Sequence, residues 1–78
     1  MASEVRAVRS LSKEAAEHRA KLAAYMAEPD AHDNLRLLAN APTAEVRQSI
    51  IAGRVRHLER EIATFERQIA QLQENGNA

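Results

Sequence analysis

The sequence predicts an all-α protein: a long helical hairpin with a short connecting helix and a C-terminal, coiled-coil-like heptad helix, assembled as a dimer. Three observations support this class. Apolar residues alternate at spacings of four and three through residues 51–72, which is a heptad stripe. Cysteine is absent, and glycine occurs only at Gly53 and Gly76. Proline is confined to Pro29 and Pro42, so the segments between these breakers should be long and regular.

The first helix is predicted over residues 3–27 and is stopped by Pro29. One side of it is apolar, and a seam of small side chains lies beside that side. Small side chains let a neighbouring backbone approach closely, so this helix can pack between two others. The apolar face consists of Val5, Val8, Leu11, Ala15, Leu22, Tyr25 and Met26, and the alanine seam of Ala16, Ala20, Ala23 and Ala27.

A short second helix is predicted over residues 31–40. Asp30 is placed to cap it, and Asp33 follows where an acidic side chain interacts favourably with the helix dipole. The leucines of this helix are the nearest candidates in sequence to cover a second apolar edge at the start of the third helix. These leucines are Leu35, Leu37 and Leu38, and the edge consists of Val46, Ile50 and Gly53. Gly53 is tolerated in the helix or marks a position where a neighbour packs directly on the backbone.

The third helix is predicted over residues 44–74, with Thr43 as its N-cap and a frayed tail at residues 75–78. At about 1.5 Å per residue, the first and third helices are about 37 and 46 Å long. These lengths suit a hairpin with the second helix at its elbow. The whole chain, residues 1–78, is expected to form a single domain.

The heptad stripe of the third helix is the predicted core and oligomer seam. β-branched residues at one heptad position, with mostly Leu or Ile at the other, favour a two-stranded seam. A chain of this size buries only about 60 to 65% of its unfolded surface, and without cysteine it has no disulfide to compensate, so a homodimer is expected. Parallel and antiparallel assembly, and states above dimer, stay open. The seam consists of Ile51, Val55, Leu58, Ile62, Phe65, Ile69 and Leu72.

No catalytic, cofactor-binding or metal site is predicted. The serines lack a glycine-rich elbow, and the histidines lack the short spacing that places two ligands on one helix face. A site assembled from His32, Asp33 and His57 stays open, although solvated or structural histidines are the favoured interpretation. His18 lies at the edge of the apolar face, and we expect its polar atom to reach water or Glu14. The alternative is a half-buried, pH-sensitive group.

Eleven basic and eleven acidic residues balance, so no arm or tail is set up to bind polyanions by bulk charge. The strongest electrostatic feature is an arginine row on the outer face of the third helix, a candidate contact for a partner or for phosphates. Acidic residues flank the row and reduce its field, so a solvated face is the favoured interpretation. The row consists of Arg56, Arg60 and Arg67, and its acidic neighbours are Glu59, Glu61 and Glu66.

These features predict a non-enzymatic interaction protein that binds itself and an unidentified larger protein, acting stoichiometrically as an adaptor, inhibitor or assembly factor. The alternative is a dimeric nucleic-acid-binding regulator that uses the arginine row, with nucleic acid the less favoured partner. The chain has neither the apolar run of a signal peptide nor 18 consecutive apolar residues, so we expect a cytoplasmic protein without a membrane partner. Its Ala- and Arg-rich composition is compatible with a bacterial or phage origin.

The seam assignment predicts opposite outcomes for two neighbouring acidic substitutions. Ile62→Asp places an unpaired charge in the seam, where truncation to Ala alone typically costs about 2 to 5 kcal/mol, so it should abolish helicity or assembly. Ala63→Asp, on the outer side, should be mild. Circular dichroism and sedimentation of the two variants check this, and equal effects would mean that the wrong face has been assigned.

Overall fold

A computed structural model describes the backbone of residues 2–77 and the side chains of residues 5–74. Helix α1 spans Ala2–Ala27, a short 3-10 helix spans Pro29–His32, and helix α2 spans Ala44–Asn77. The described backbone contains no strand, which confirms the predicted all-α class.

The two long helices pack against each other and run antiparallel. Arg19 of α1 pairs with Glu66, late in α2, at 3.3 Å between Nη2 and Oε2. At the other end of the rod, Arg47 at the start of α2 reaches Asp30, just beyond the end of α1. The result is a hairpin measuring 54 × 17 × 17 Å. We call the end that holds the connection between the helices the closed end.

The buried core forms one thin line between the helices. Its described members are Ala15 and Tyr25 from α1, Leu38 from the connection, and Leu58 and Ile62 from α2. The other seam residues are only half-buried: Ile51, Val55, Phe65, Ile69 and Leu72. The seam of α2 therefore contacts α1 of the same chain along one line and leaves part of its apolar surface uncovered.

Helix α1 also keeps apolar surface outside the core. Val5 and Met26, two members of its predicted apolar face, are exposed, whereas Val8, Leu11 and Leu22 are half-buried. All members of the alanine seam are exposed as well. Within the described chain, no third helix packs on that seam.

The predicted second helix over residues 31–40 is wrong: the chain forms the 3-10 helix and then a series of turns. The physical reason is the side chain of Asp33, which accepts hydrogen bonds from the Leu38 N–H at 3.0 Å and the Ala39 N–H at 2.9 Å. Such bonds compete with those of a helix. Arg36 lies in the left-handed region with φ of 56°, a conformation that interrupts a helix and costs about 1 kcal/mol in a non-glycine residue.

Asp30 does not cap a helix as predicted but pairs with α2. Its two carboxylate oxygens accept hydrogen bonds of 2.7 Å each from Nη1 and Nη2 of Arg47. This bidentate contact lowers the pKa of Asp30 and raises the pKa of Arg47. Its stabilising effect is present above the unfolded-state pKa of Asp30 and is lost as the pH falls through the lowered folded-state pKa. Because both groups are solvent-accessible, the effect on stability is small.

Helix α2 begins as predicted. The Val46 N–H donates to Oγ1 of Thr43 at 3.1 Å, which confirms Thr43 as the N-cap. A Cβ at Gly53 would meet only Nη2 of Arg56 at 3.9 Å, so no neighbour packs on the backbone there and tolerance in a long helix is the correct interpretation. The helix continues to Asn77, beyond the residue where fraying was expected, and Ala78 lies outside the described residues.

Only one of the three connection leucines covers the rest of the molecule. Leu38 is 4% exposed, whereas Leu35 is 78% and Leu37 52% exposed. Of the three candidates for covering the start of α2, Leu35 and Leu37 are therefore not buried there. The left-handed Arg36 separates these two residues and turns the chain between them, and Val46 on α2 stays exposed.

Candidate interaction surfaces

A polar cluster links the two helices at mid-length. The side chain of His18 is 13% exposed, with Nε2 2.9 Å from Oε2 of Glu61 on α2 and Nδ1 2.9 Å from the main-chain oxygen of Glu14. Its ring also contacts Phe65, with centroids 5.0 Å apart. Both ring nitrogens therefore lie within hydrogen-bond distance of an oxygen atom. The expected contact with Glu14 is made through the main chain, and sequence reasoning missed the contact with Glu61.

Two of the three acidic residues beside the arginine row pair with other side chains. Glu61 contacts His18 through one oxygen and His57 through the other, and Glu66 pairs with Arg19. Two consecutive residues of α1 thus bind two glutamates of α2 that are five positions apart. The signal in the sequence was this pair of basic residues beside the apolar face of α1, opposite two acidic residues beside the seam.

The structure does not assemble the site left open from His32, Asp33 and His57. His57 pairs with Glu61 on α2, whereas Asp33 uses both carboxylate oxygens to hold the connection. Among the described residues, no group of three or more acidic, histidine or cysteine side chains is placed to hold a metal ion.

The three side chains of the arginine row are all exposed. Their positions on α2 follow one another at intervals of four and seven, so they lie along one side of the helix. None has an ion-pair partner within 4.0 Å among the described side chains. The row is accessible to a ligand, and Glu59 remains an exposed acidic neighbour.

Two adjoining hollows form a groove at the closed end of the hairpin, which we call the elbow groove. The first hollow has a volume of about 350 Å³ and the second about 460 Å³. They share Tyr25, His32, Asn34 and Arg54. The first is completed by Asp33, Leu35, Leu37 and Ile50, and the second by Ala20, Lys21, Ala24 and Leu58. The groove is therefore built from α1, the connection and α2, and sequence reasoning did not predict it.

The charged residues of the elbow groove differ in whether they already have a hydrogen-bond or ion-pair partner. Asp33 is occupied by backbone N–H groups, whereas Arg54 and Lys21 have no ion-pair or side-chain hydrogen-bond partner among the described residues. Burial raises the pKa of the Tyr25 phenol, and the nearby positive charge of Arg54 acts in the opposite direction. The groove thus combines the apolar side chains of Leu35, Leu37 and Ile50 with two cations that have no partner among the described residues.

Comparisons with known proteins identify no relative. No family model matches the chain, and no curated protein and no solved structure matches it. In the described part of the chain, no helix has a stretch long and apolar enough to cross a membrane. A functional hypothesis for this chain therefore rests on its surfaces.

The cluster predicts a measurable coupling between His18 and Glu61. In a double-mutant cycle with His18→Ala and Glu61→Ala, we expect a coupling free energy of about 1 kcal/mol, because the bond is partly buried. The control cycle pairs Glu61→Ala with His57→Ala, whose exposed side chain should give less than about 0.5 kcal/mol. Urea denaturation at one fixed protein concentration measures both, and equal couplings would contradict the assignment of His18 as the link between the helices.

Proposed function

We propose that the protein is a non-enzymatic helical interaction protein that forms a homodimer and acts stoichiometrically on a larger partner protein, as an adaptor, inhibitor or assembly factor. The observation that supports this most strongly is the amount of exposed surface. The chain exposes 5863 Å². A compact protein of this mass exposes about 4,700 Å². The radius of gyration is 16.5 Å, against about 12 Å for a compact chain of this length.

The surface exposed in excess of a compact protein is large enough to form an interface with a second chain. It amounts to roughly 1,100 Å², and a stable protein interface typically buries about 800 Å² on each partner. Half-buried residues of the seam and the exposed Met26 of α1 provide apolar material for such a contact. Two hairpins packed side by side form a four-helix bundle, which encloses apolar surface that one hairpin leaves in water.

The alternative, a dimeric nucleic-acid-binding regulator, is favoured by one observation. The arginine row is exposed, and Glu61 and Glu66 are engaged with α1 instead of with the row. Against it, Glu59 is exposed beside the row, and the chain has a single Phe, a single Tyr and no Trp with which to stack bases. We therefore favour a protein partner.

Sedimentation equilibrium tests the dimer. At micromolar concentration, the native chain should have twice its single-chain mass of 8.7 kDa. Met26→Glu places a charge on the part of the apolar face of α1 that the hairpin leaves exposed. It should weaken dimerisation at least tenfold and leave the helicity unchanged. The matched control, Ala63→Glu, adds the same charge at an exposed position on α2 and should sediment like the native chain. A single-chain mass for the native protein throughout the micromolar range would remove the dimer from the proposal.

Duplex binding separates the protein-binding function from the nucleic-acid alternative. We expect the native chain to bind a 20-base-pair DNA duplex no more tightly than about 10 μM at physiological salt, within the range of non-specific association. Replacing Arg56, Arg60 and Arg67 together by Ala should then change neither the fold nor the sedimentation. A submicromolar complex that weakens steeply with salt, and loses that salt dependence in the triple variant, would favour the alternative.

A further inference from the structure

We propose that the elbow groove binds an acidic amphipathic helix of the partner protein. Apolar side chains of that helix would pack against Leu35, Leu37 and Ile50, and a carboxylate would pair with Arg54. This inference rests on the proposed function and adds to it the binding surface and the chemistry of the partner.

The first argument is the exposure of two leucines on an ordered segment. Leu35 and Leu37 face solvent although the connection that carries them is fixed at several points. Asp33 holds its later backbone, and the Arg36 N–H donates to the main-chain oxygen of Asp33 at 3.0 Å. The left-handed Arg36 is a backbone strain located between the two leucines. Strain of this kind is concentrated at binding sites, where it holds side chains ready for a ligand.

The second argument is the shape of the groove. The two hollows share four residues, so they adjoin, the first at the connection and the second between α1 and α2. On the α1 side, the wall contains Ala20 and Ala24, which lie one turn apart and are both exposed. Their small side chains let the backbone of an incoming helix approach closely. A third helix laid there would bind by the helix-in-groove mode, in which apolar anchors recur at intervals of three and four.

The third argument is the charge that the groove leaves available. An occupant that covers Arg54 without an anion would bury an unpaired guanidinium, which is strongly unfavourable. The only acidic residue in the lining, Asp33, is already bound by backbone N–H groups. Because Asp33 forms no ion pair with Arg54 among the described contacts, a carboxylate of the ligand is the partner that we expect for Arg54. Lys21, at the other end of the groove, favours the same sign of charge.

The same charges disfavour a second copy of this chain as the occupant. In a two-fold dimer, a groove that lies on the symmetry axis meets its own equivalent, so groove would face groove. Arg54 and Lys21 of one chain would then face the same cations of the other. An acidic helix from a different protein avoids this repulsion, and it leaves the rest of the hairpin free for the homodimer.

Selection from a random peptide library tests the proposal. The native chain, immobilised, is used to select from phage-displayed peptides of about 16 residues. We expect enriched peptides to carry apolar residues at positions i, i+3 or i+4, and i+7, with Asp or Glu beside them. Fluorescence anisotropy with one enriched peptide should show at least a tenfold loss of affinity for Arg54→Glu and for Leu35→Asp. Arg9→Glu, the matched charge reversal at an exposed position of α1 outside the groove, should change the affinity less than twofold.

A charge exchange makes the test specific for the ion pair. Replacing the acidic residue of the selected peptide by Lys should abolish binding to the native chain and restore binding to Arg54→Glu. Circular dichroism of each variant verifies that it is folded. The proposal is overturned if no acidic, apolar family of peptides is enriched, or if the peptide binds the Arg54→Glu and Leu35→Asp variants as well as the native chain.

Sedimentation of the same variants separates this inference from the proposed function. If Leu35→Asp becomes monomeric and no peptide is selected, a second copy occupies the groove and the inference is overturned. If the native chain is monomeric but the peptide still binds through Arg54 and Leu35, the dimer in the proposed function fails and the inference stands.

Discussion

A two-helix hairpin has only one helix–helix contact, and this limit determines most of the structure. Each helix can bury a single stripe against the other, so the described core is a line of five side chains. Polar contacts at its edges, such as those of His18 and Arg19 with α2, add to the register that this narrow core sets by packing. The flanks of both helices and the space between them at the closed end remain accessible. The surfaces on which a function can be argued are a direct result of that single contact.

The sequence was sufficient to predict both long helices because their signals are local and repeated. The heptad spacing predicted α2, Thr43 predicted where it begins, and Pro29 predicted where α1 ends. The connection was not predictable in the same way. Three leucines within four residues resemble part of a helix, but the Asp33 side chain binds the backbone five and six residues later and Arg36 adopts a left-handed conformation. Neither feature produces a periodic pattern in the sequence.

The candidate surfaces also differ in whether the sequence alone could predict them. The arginine row could be predicted because the geometry of a single helix places its members together. The seam could be predicted as an apolar stripe, but sequence spacing does not say whether α1 or a second chain covers it. The contact between His18 and Glu61 depends on the register of two helices, and the elbow groove combines α1, the connection and α2. Both arise only when distant segments meet, so a pattern along one helix does not contain them.

The contact between Arg47 and Asp30 also affects the order in which the two helices of one chain come together during folding. These residues are 17 positions apart, whereas His18 and Glu61 are 43 apart. Closing the longer loop from an open chain costs about 0.8 kcal/mol more in entropy than closing the shorter one. Once the shorter loop has closed, each further pair of residues along the helices is brought together with little additional loss of chain freedom. The hairpin therefore forms most readily from its closed end outward. Each step closes only a short loop, and topologies built from such short closures fold fast.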